Sequence, residues 1–354
     1  MIQSRVFFSF PPQSRGIFLK EKMPYRPKEG EYLLNHNRSG LLLALKALHL
    51  SQGSKVGVMA YNCHTVMNAV PDAGGAICFL DVTHDLRLDL DDLKRKKENL
   101  AAIIVSHLFG LPNDIGAIRE ICPQVPIIED CAHAFGMEQC GVHGDFAVYS
   151  VGPGKFPSIG DGGILRVNNK QYIPAIEQLY SFLPDYSSGH EIRLFAELFV
   201  LHLLHKPIIY SYFTMPFLKR DTKKTPAARE VIHPRKMARG IASVYNDALS
   251  KTENQKLQQQ ETAKVLNSFF PKTKGVHIIN KYPSDSNCFM YPLYCDNPSL
   301  LKKELLGKGI ETETHFKHCI EWAKSFGYNG GDCPNAEHLT KHLLMIPTYK
   351  PLNL

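Results

Sequence analysis

The chain has 354 residues, 44% of them hydrophobic and 21% charged, which is enough for two domains and a large core in an ordinary globular protein. The net charge of +7 comes without any Lys/Arg block interleaved with aromatics, so it argues against nucleic acid and suits anionic small molecules better. Nine cysteines without a Cys-x-x-Cys pair speak against a disulfide framework and a zinc site, so no metal is expected and the thiols read as free in a reducing cytoplasm.

The first stretch, "MIQSRVFFSFPPQSRG", is apolar for only a few residues before Pro11-Pro12, too short for a signal peptide. "NRSGLLLALKAL" (37–48) reads as a loop feeding a buried helix, with Ser39 as the N-cap. "KVGVMA" (55–60) is a strand, "HTVMNAVPDAGG" a helix stopped near Pro71, and "AICFLDV" (76–82) a second strand. "LDLDDLKRKKEN" is a charged helix, followed by strand "AAIIVSHLFG" (101–110), helix "DIGAIREIC", and strands "VPIIED", "DFAVYSVG" and "GGILRVNN". Strands and helices that alternate through short connections predict an α/β fold, a mostly parallel sheet covered by helices on both faces, with ligands outside the carboxyl ends of the strands.

The second half differs. Residues 185–225 are apolar and helix-like and end in the basic loop "KRDTKKTPAARE". Arg193, Glu197, His202, His205, Lys206 and Pro207 interrupt "IRLFAELFVLHLLHKPIIYSYF", so it is not a spanning helix. Two readings stand for this insertion. It is a buried hairpin or dimer surface, or it is an apolar flap that touches lipid with help from Lys219, Arg220, Lys223 and Lys224. A long helical pattern over 236–270 then leads to strand "MYPLYC", helix "SLLKKELLGKGI" and a later helix in "EHLTKHLLMIPTYKPL", a smaller C-terminal α+β domain. The expected division is a large domain over 1–235 and a small one over 236–354.

Three residues carry the chemistry. Strand "IIED" stops on Glu129-Asp130, and a carboxylate there must face the cleft or be paired, or else cap the following turn. "SVGPGKFPSIGDGG" places Ser150 at a strand end and Lys155 in a tight loop with Gly152, Pro153 and Gly154, where a lysine is costly unless solvated, paired or covalently engaged. Together they suit pyridoxal 5'-phosphate. The amine forms a Schiff base with the cofactor aldehyde, the acid pairs with the pyridinium nitrogen, and N–H groups at a helix start, here Ser39-Gly40, hold the phosphate. Glu129, pointing to the other face of the strand, is expected to do structural work.

In this order and spacing, "EDCAHAFG", "YSVGPGK" and "GDGG" resemble the DegT–StrS nucleotide-sugar aminotransferases, which are fold-type-I pyridoxal-phosphate enzymes. "SHLFGLPNDIGAI", "AYNCHTVMNAV" and "GIETETHF" agree, and the resemblance covers about 30–180 and 230–354. It implies that Lys155 holds the cofactor and shuttles the proton, that Asp130 pairs with the ring nitrogen, and that His133 lies by the ring where many relatives have glutamine. It also implies phosphate contacts from Ser150, Ser39 and Gly40, with Cys63 or His64 over the ring face. His107 either supports the site from behind or only ends its strand.

The implied reaction moves an amino group from glutamate or glutamine to a keto group, on a nucleotide-linked keto-deoxy sugar of surface-polysaccharide or natural-product biosynthesis. The implied assembly is a cytoplasmic homodimer with shared sites. The chain departs from the family pattern at Gly154, where relatives carry a larger residue. It departs again at "HPRKMARG", where they have a cross-subunit asparagine that His233, Arg235 or Lys236 would replace. These departures keep a non-catalytic cofactor binder as an alternative. A sugar-dehydratase-like enzyme is the other, disfavoured because those relatives have histidine where this chain has Lys155.

Overall fold

A computed structural model describes residues 25–204, 206, 209, 229–279, 282 and 286–352. Its main sheet contains β1 (Glu31–Leu34), β2 (Lys55–Met59), β3 (Ala76–Leu80), β4 (Leu100–Ser106), β5 (Ile127–Asp130), β6 (Phe146–Ser150) and β7 (Gly163–Val167). The spatial order is β1-β7-β6-β5-β4-β2-β3. The five central strands pair in parallel in the order β3-β2-β4-β5-β6, and β7 and then β1 close one edge antiparallel. Val56, Val58, Ile103, Ile104, Ile127 and Ile128 are all fully buried, the two-faced apolarity a parallel sheet needs. Each such side chain contributes about 1.5–3 kcal/mol relative to exposure.

The helices between these strands are α1 (Asn37–Ala47), α2 (His64–Asp72), α3 (Leu90–Lys96) and α4 (Ile115–Ile121). After β7 come α5 (Ile173–Ser181) and α6 (Ser188–Leu204). Asp89 and Asp114 cap α3 and α4 through their carboxylates. By contrast α1 begins two residues before the expected Ser39, with His36 at its N-cap and no side-chain cap.

The apolar insertion is a helix over its described part. α6 buries Leu198 and leaves Ile192, Phe199 and Val200 exposed. Lys219, Arg220, Lys223 and Lys224 lie outside the described residues. Among the described residues, no helix is long and apolar enough to cross a membrane. None of the nine cysteines, all of them among the described residues, is in a disulfide.

The pattern over 236–270 is two helices, α7 (Arg239–Leu249) and α8 (Thr252–Phe269), broken at Ser250-Lys251. A small antiparallel sheet, in the order β10-β9-β8, follows from β8 (Val276–Ile278), β9 (Met290–Cys295) and β10 (Leu343–Pro347). Around it lie α9 (Pro298–Gly307), α10 (Cys319–Ser325) and α11 (Pro334–His342). The segment expected as one last helix is therefore half strand: α11 stops at His342, and the fully buried Leu343–Ile346 add β10 to the edge of β9.

Candidate active site

β4, β5 and β6 are adjacent and parallel, so their last residues, Ser106, Asp130 and Ser150, reach the same end of the sheet. All three line a cavity of about 290 Å³ there. Asp130 is fixed from two sides. Ser106 Oγ donates to its Oδ2 at 2.9 Å, and Asn37 Nδ2 and the Ala132 N–H donate to its Oδ1 at 3.2 and 3.1 Å. Asn62 Nδ2 in turn donates to Ser106 Oγ at 2.9 Å. A carboxylate held this way presents a fixed negative charge to whatever enters the cavity.

Glu129, one residue earlier, faces the other side. It is fully buried and accepts from the backbone N–H groups of Gly141 (2.7 Å), His143 (2.8 Å) and Gly144 (2.5 Å). His107 Nε2 lies 2.9 Å from the same carboxylate, and His107 Nδ1 accepts from the Asn113 N–H at 3.0 Å. The neutral ring therefore carries its proton on Nε2, toward Glu129. Burial pushes the Glu129 carboxyl up, but the His107 and backbone hydrogen bonds outweigh it and hold the group below the usual range. His107 thus serves the loop behind the site as well as bordering the cavity.

The Lys155 loop is built by its glycines. Gly154 has φ +71°, a left-handed turn just before the lysine that a larger residue would strain. That is the physical reason for the departure noted at this position. In the "GDGG" turn, a Cβ at Gly163 would lie 2.3–2.5 Å from the backbone of His36 and Asn37. Only glycine there lets the start of α1 approach β7, and Asp161 secures it through His36 Nδ1 at 3.1 Å.

Lys155 Nζ lies 2.8 Å from His133 Nε2. His133 Nδ1 accepts from the Phe109 N–H at 3.3 Å, so the one proton of the neutral ring sits on Nε2 and points at the lysine nitrogen. That bond requires a lone pair on Nζ, that is, a neutral amine. Burial agrees: it lowers the Lys155 amine below the ordinary lysine value, and Cys63 and Asp130 oppose this only in part. Burial, then Lys155 and His315, holds His133 well below the usual imidazole range.

The ring of His133 lies 4.8 Å from that of Phe289 and 5.7 Å from that of His315, both from the second half of the chain. His315 is pushed down to about 3, by burial first and Lys155 second. Asn287 Nδ2 donates to the carbonyls of His133 and Phe135 at 3.0 and 3.1 Å, latching the small sheet's segment onto the loop after β5.

Several expected residues take other places. Ser39 does not face the cavity: it is fully buried and its Oγ donates to Asn35 Oδ1 at 2.7 Å. Gly40 packs toward Val148 and Leu165 of the sheet. The helix starts earlier than the sequence suggested, so His36, Asn37 and Arg38 line the cavity instead. Of the Cys63–His64 pair, Cys63 borders the cavity, whereas the His64 ring packs against Trp322 at 4.8 Å. Burial raises the Cys63 thiol, but His64 and the Thr65 hydroxyl, 3.1 Å from Sγ, more than offset it and leave it lowered.

His233, Arg235 and Lys236 run beside the end of β1. The His233 carbonyl accepts from Asn35 Nδ2, the Arg235 N–H donates to Asn35 Oδ1, and Lys236 bridges to Leu34, so none of the three lines this chain's own cavity. Sequence reasoning missed Asn37, Ser106, Asn62 and His315. Asn37 and Ser106 stand at element ends where a polar residue is a signal, but nothing in "ETETHF" announces a group beside Lys155.

The chain matches the model of the DegT/DnrJ/EryC1/StrS aminotransferase family over residues 34–198 and 203–354, and it belongs to that family. It is 33% identical over 138 residues to the GDP-perosamine synthase of Escherichia coli O157:H7, an alignment that spans 37% of this chain and 38% of that protein. It is 24% identical over 340 residues to the UDP-4-amino-4,6-dideoxy-N-acetyl-beta-L-altrosamine transaminase of Campylobacter jejuni, covering 91% of this chain and 81% of that one. A Streptococcus pneumoniae protein solved in a PLP-form has the same fold, with a TM-score of 0.73 at 16% identity over 99% of this chain and 95% of that chain.

Proposed function

We propose that this aminotransferase moves an amino group from glutamate or glutamine to a keto group on a nucleotide-linked keto-deoxy sugar, in surface-polysaccharide or natural-product biosynthesis. Its cofactor is pyridoxal 5'-phosphate, which supplies an aldehyde to carry the amino group and a ring that accepts electrons. The residues present fit it: a buried primary amine, a fixed carboxylate and an uncapped helix start share one cavity.

In this reading Lys155 attaches the cofactor and moves the proton at the substrate carbon. Asp130 pairs with the ring nitrogen. His133 holds a proton on Nε2 beside the lysine, and Cys63 borders the ring face. Ser150 takes the phosphate, with Asn37 and Arg38 at the start of α1 in place of Ser39 and Gly40. Support for a nucleotide-sugar acceptor comes from relatives named for GDP- and UDP-linked amino sugars. The net charge of +7 suits a diphosphate. The homodimer, with His233, Arg235 or Lys236 reaching the partner's site, and the cytoplasmic setting belong to the same proposal.

One observation carries the reading: Lys155 Nζ is held at 2.8 Å by a neutral histidine in the cavity that Asp130 borders. The test is borohydride reduction of the cofactor-loaded protein, followed by peptide mass spectrometry. The label is expected on Lys155 and is expected to be lost in Lys155→Ala. A label retained by that variant overturns the assignment. Amino donors should bleach the visible absorbance of the loaded enzyme. Binding without any spectral conversion by glutamate, glutamine or other amino acids would favour the non-catalytic binder.

A further inference from the structure

Away from the cavity, three of the sixteen histidines gather around one tyrosine at the small sheet, and a fourth stands beside one of them. Ring centroids lie 5.9 Å apart for His277 and Tyr294, 5.6 Å for Tyr294 and His338, and 5.1 Å for Tyr294 and His342. His338 and His342 occupy positions i and i+4 of α11, with their rings stacked at 4.4 Å. His84, from the loop after β3, lies 6.2 Å from His338. We propose that this patch is a site for a divalent transition-metal ion, with His338 and His342 as the chelating pair and His84 as the third ligand.

The spacing is the first argument. Two histidines one helical turn apart present their nitrogens on one face, the arrangement that helical zinc sites use. The tautomer is the second. His342 Nδ1 is 3.1 Å from the Cys295 carbonyl, which can only accept, so Nδ1 carries the proton and Nε2 keeps its lone pair for a metal. A backbone carbonyl behind the imidazole is the usual support of a metal-binding histidine.

Rigidity is the third argument. Asp81, just beyond β3, accepts the N–H groups of Asn335 and Ala336 at 3.0 and 2.9 Å, which clamps the start of α11 to the chain that carries His84. His338 and His84 are exposed, so their rings can turn onto an ion at little cost. The Tyr294 hydroxyl, 3.0 Å from His338 Nε2, is the partner an ion would displace.

Imidazole sets of this kind take zinc, nickel or copper rather than magnesium or calcium. The three rings of the proposed site must turn to converge on an ion, whereas the ligand atoms of His107, Glu129 and Cys131 already lie within 4.8 Å of one another. That second group is already saturated, because both nitrogens of His107 and both oxygens of Glu129 are hydrogen-bonded.

The test is calorimetric titration of nickel or zinc chloride into chelator-treated, cofactor-loaded enzyme in a non-coordinating buffer. One ion per chain is expected. The affinity should fall at least about tenfold in His338→Ala and in His342→Ala, and measurably in His84→Ala. Transamination should be unchanged in all three, because none of these residues borders the cavity. Copper loading adds a second readout, in which nitrogen couplings from the bound ion should disappear with His338 and His342. No ion taken up by the wild type, or the same uptake by a His338→Ala/His342→Ala protein, overturns the proposal. The second result would mean that the metal binds elsewhere, for example at the cavity thiol.

Discussion

Replacing His133 by glutamine tests the central electrostatic argument about Lys155. In the wild type the proton on His133 Nε2 points at Lys155 Nζ, because Nδ1 is committed to the Phe109 N–H. Protonating the lysine would set two donors against each other at 2.8 Å unless the histidine changed tautomer. The tautomer change would cost the Phe109 hydrogen bond, about 0.5–1.5 kcal/mol. This contact therefore lowers the lysine, in the same direction as its burial.

Glutamine can turn its carbonyl toward an ammonium, so His133→Gln should raise the Lys155 pKa. The assay is the rate of covalent capture of pyridoxal phosphate by cofactor-free protein across a pH series. Capture needs the free amine, so its half-maximal pH follows the lysine. That midpoint should lie below the ordinary lysine value in the wild type and move upward in His133→Gln. An unchanged or lower midpoint in the variant refutes the tautomer reasoning.

Two further predictions concern stability. Glu129→Gln puts an amide NH₂ against either Gly141 and His107 or His143 and Gly144, leaving two buried donors unpaired. Urea denaturation should show a loss on the order of 4 kcal/mol, and a loss below about 1 kcal/mol would contradict the network as described. His315 is held neutral when folded, down to about pH 3. The unfolded chain takes up its proton from about pH 6.5 downward, so stability contributed by the neutral ring is lost as the pH falls through that window. In cofactor-free protein, His315→Gln should therefore lower the slope of stability against pH between 6 and 4 by about 1.4 kcal/mol per unit. Equal slopes would place His315 in solvent.

Much of the site was legible because its parts are local. The alternation of side chains along β5 sends Glu129 and Asp130 to opposite faces, and that holds in the structure. Gly154 looked anomalous as a sequence departure, yet its left-handed φ makes it the residue that the turn before Lys155 demands. The helix start was misjudged at Ser39. Serine is a good cap in general, but the close approach of Gly163 to His36 and Asn37 fixes where α1 begins.

The sequence by itself determined strands β2 to β7 and β9, the carboxylate at the end of β5 and the lysine in its glycine-bounded loop, because periodicity and turn chemistry act over a few residues. Only the tertiary structure decided that β1 lies beside β7, which brings Asn37 onto Asp130, and that His315 and Phe289 stand against His133. Those contacts join residues far apart in the chain. They depend on strand order and on the seating of one sheet's loops against another's, which no local pattern encodes.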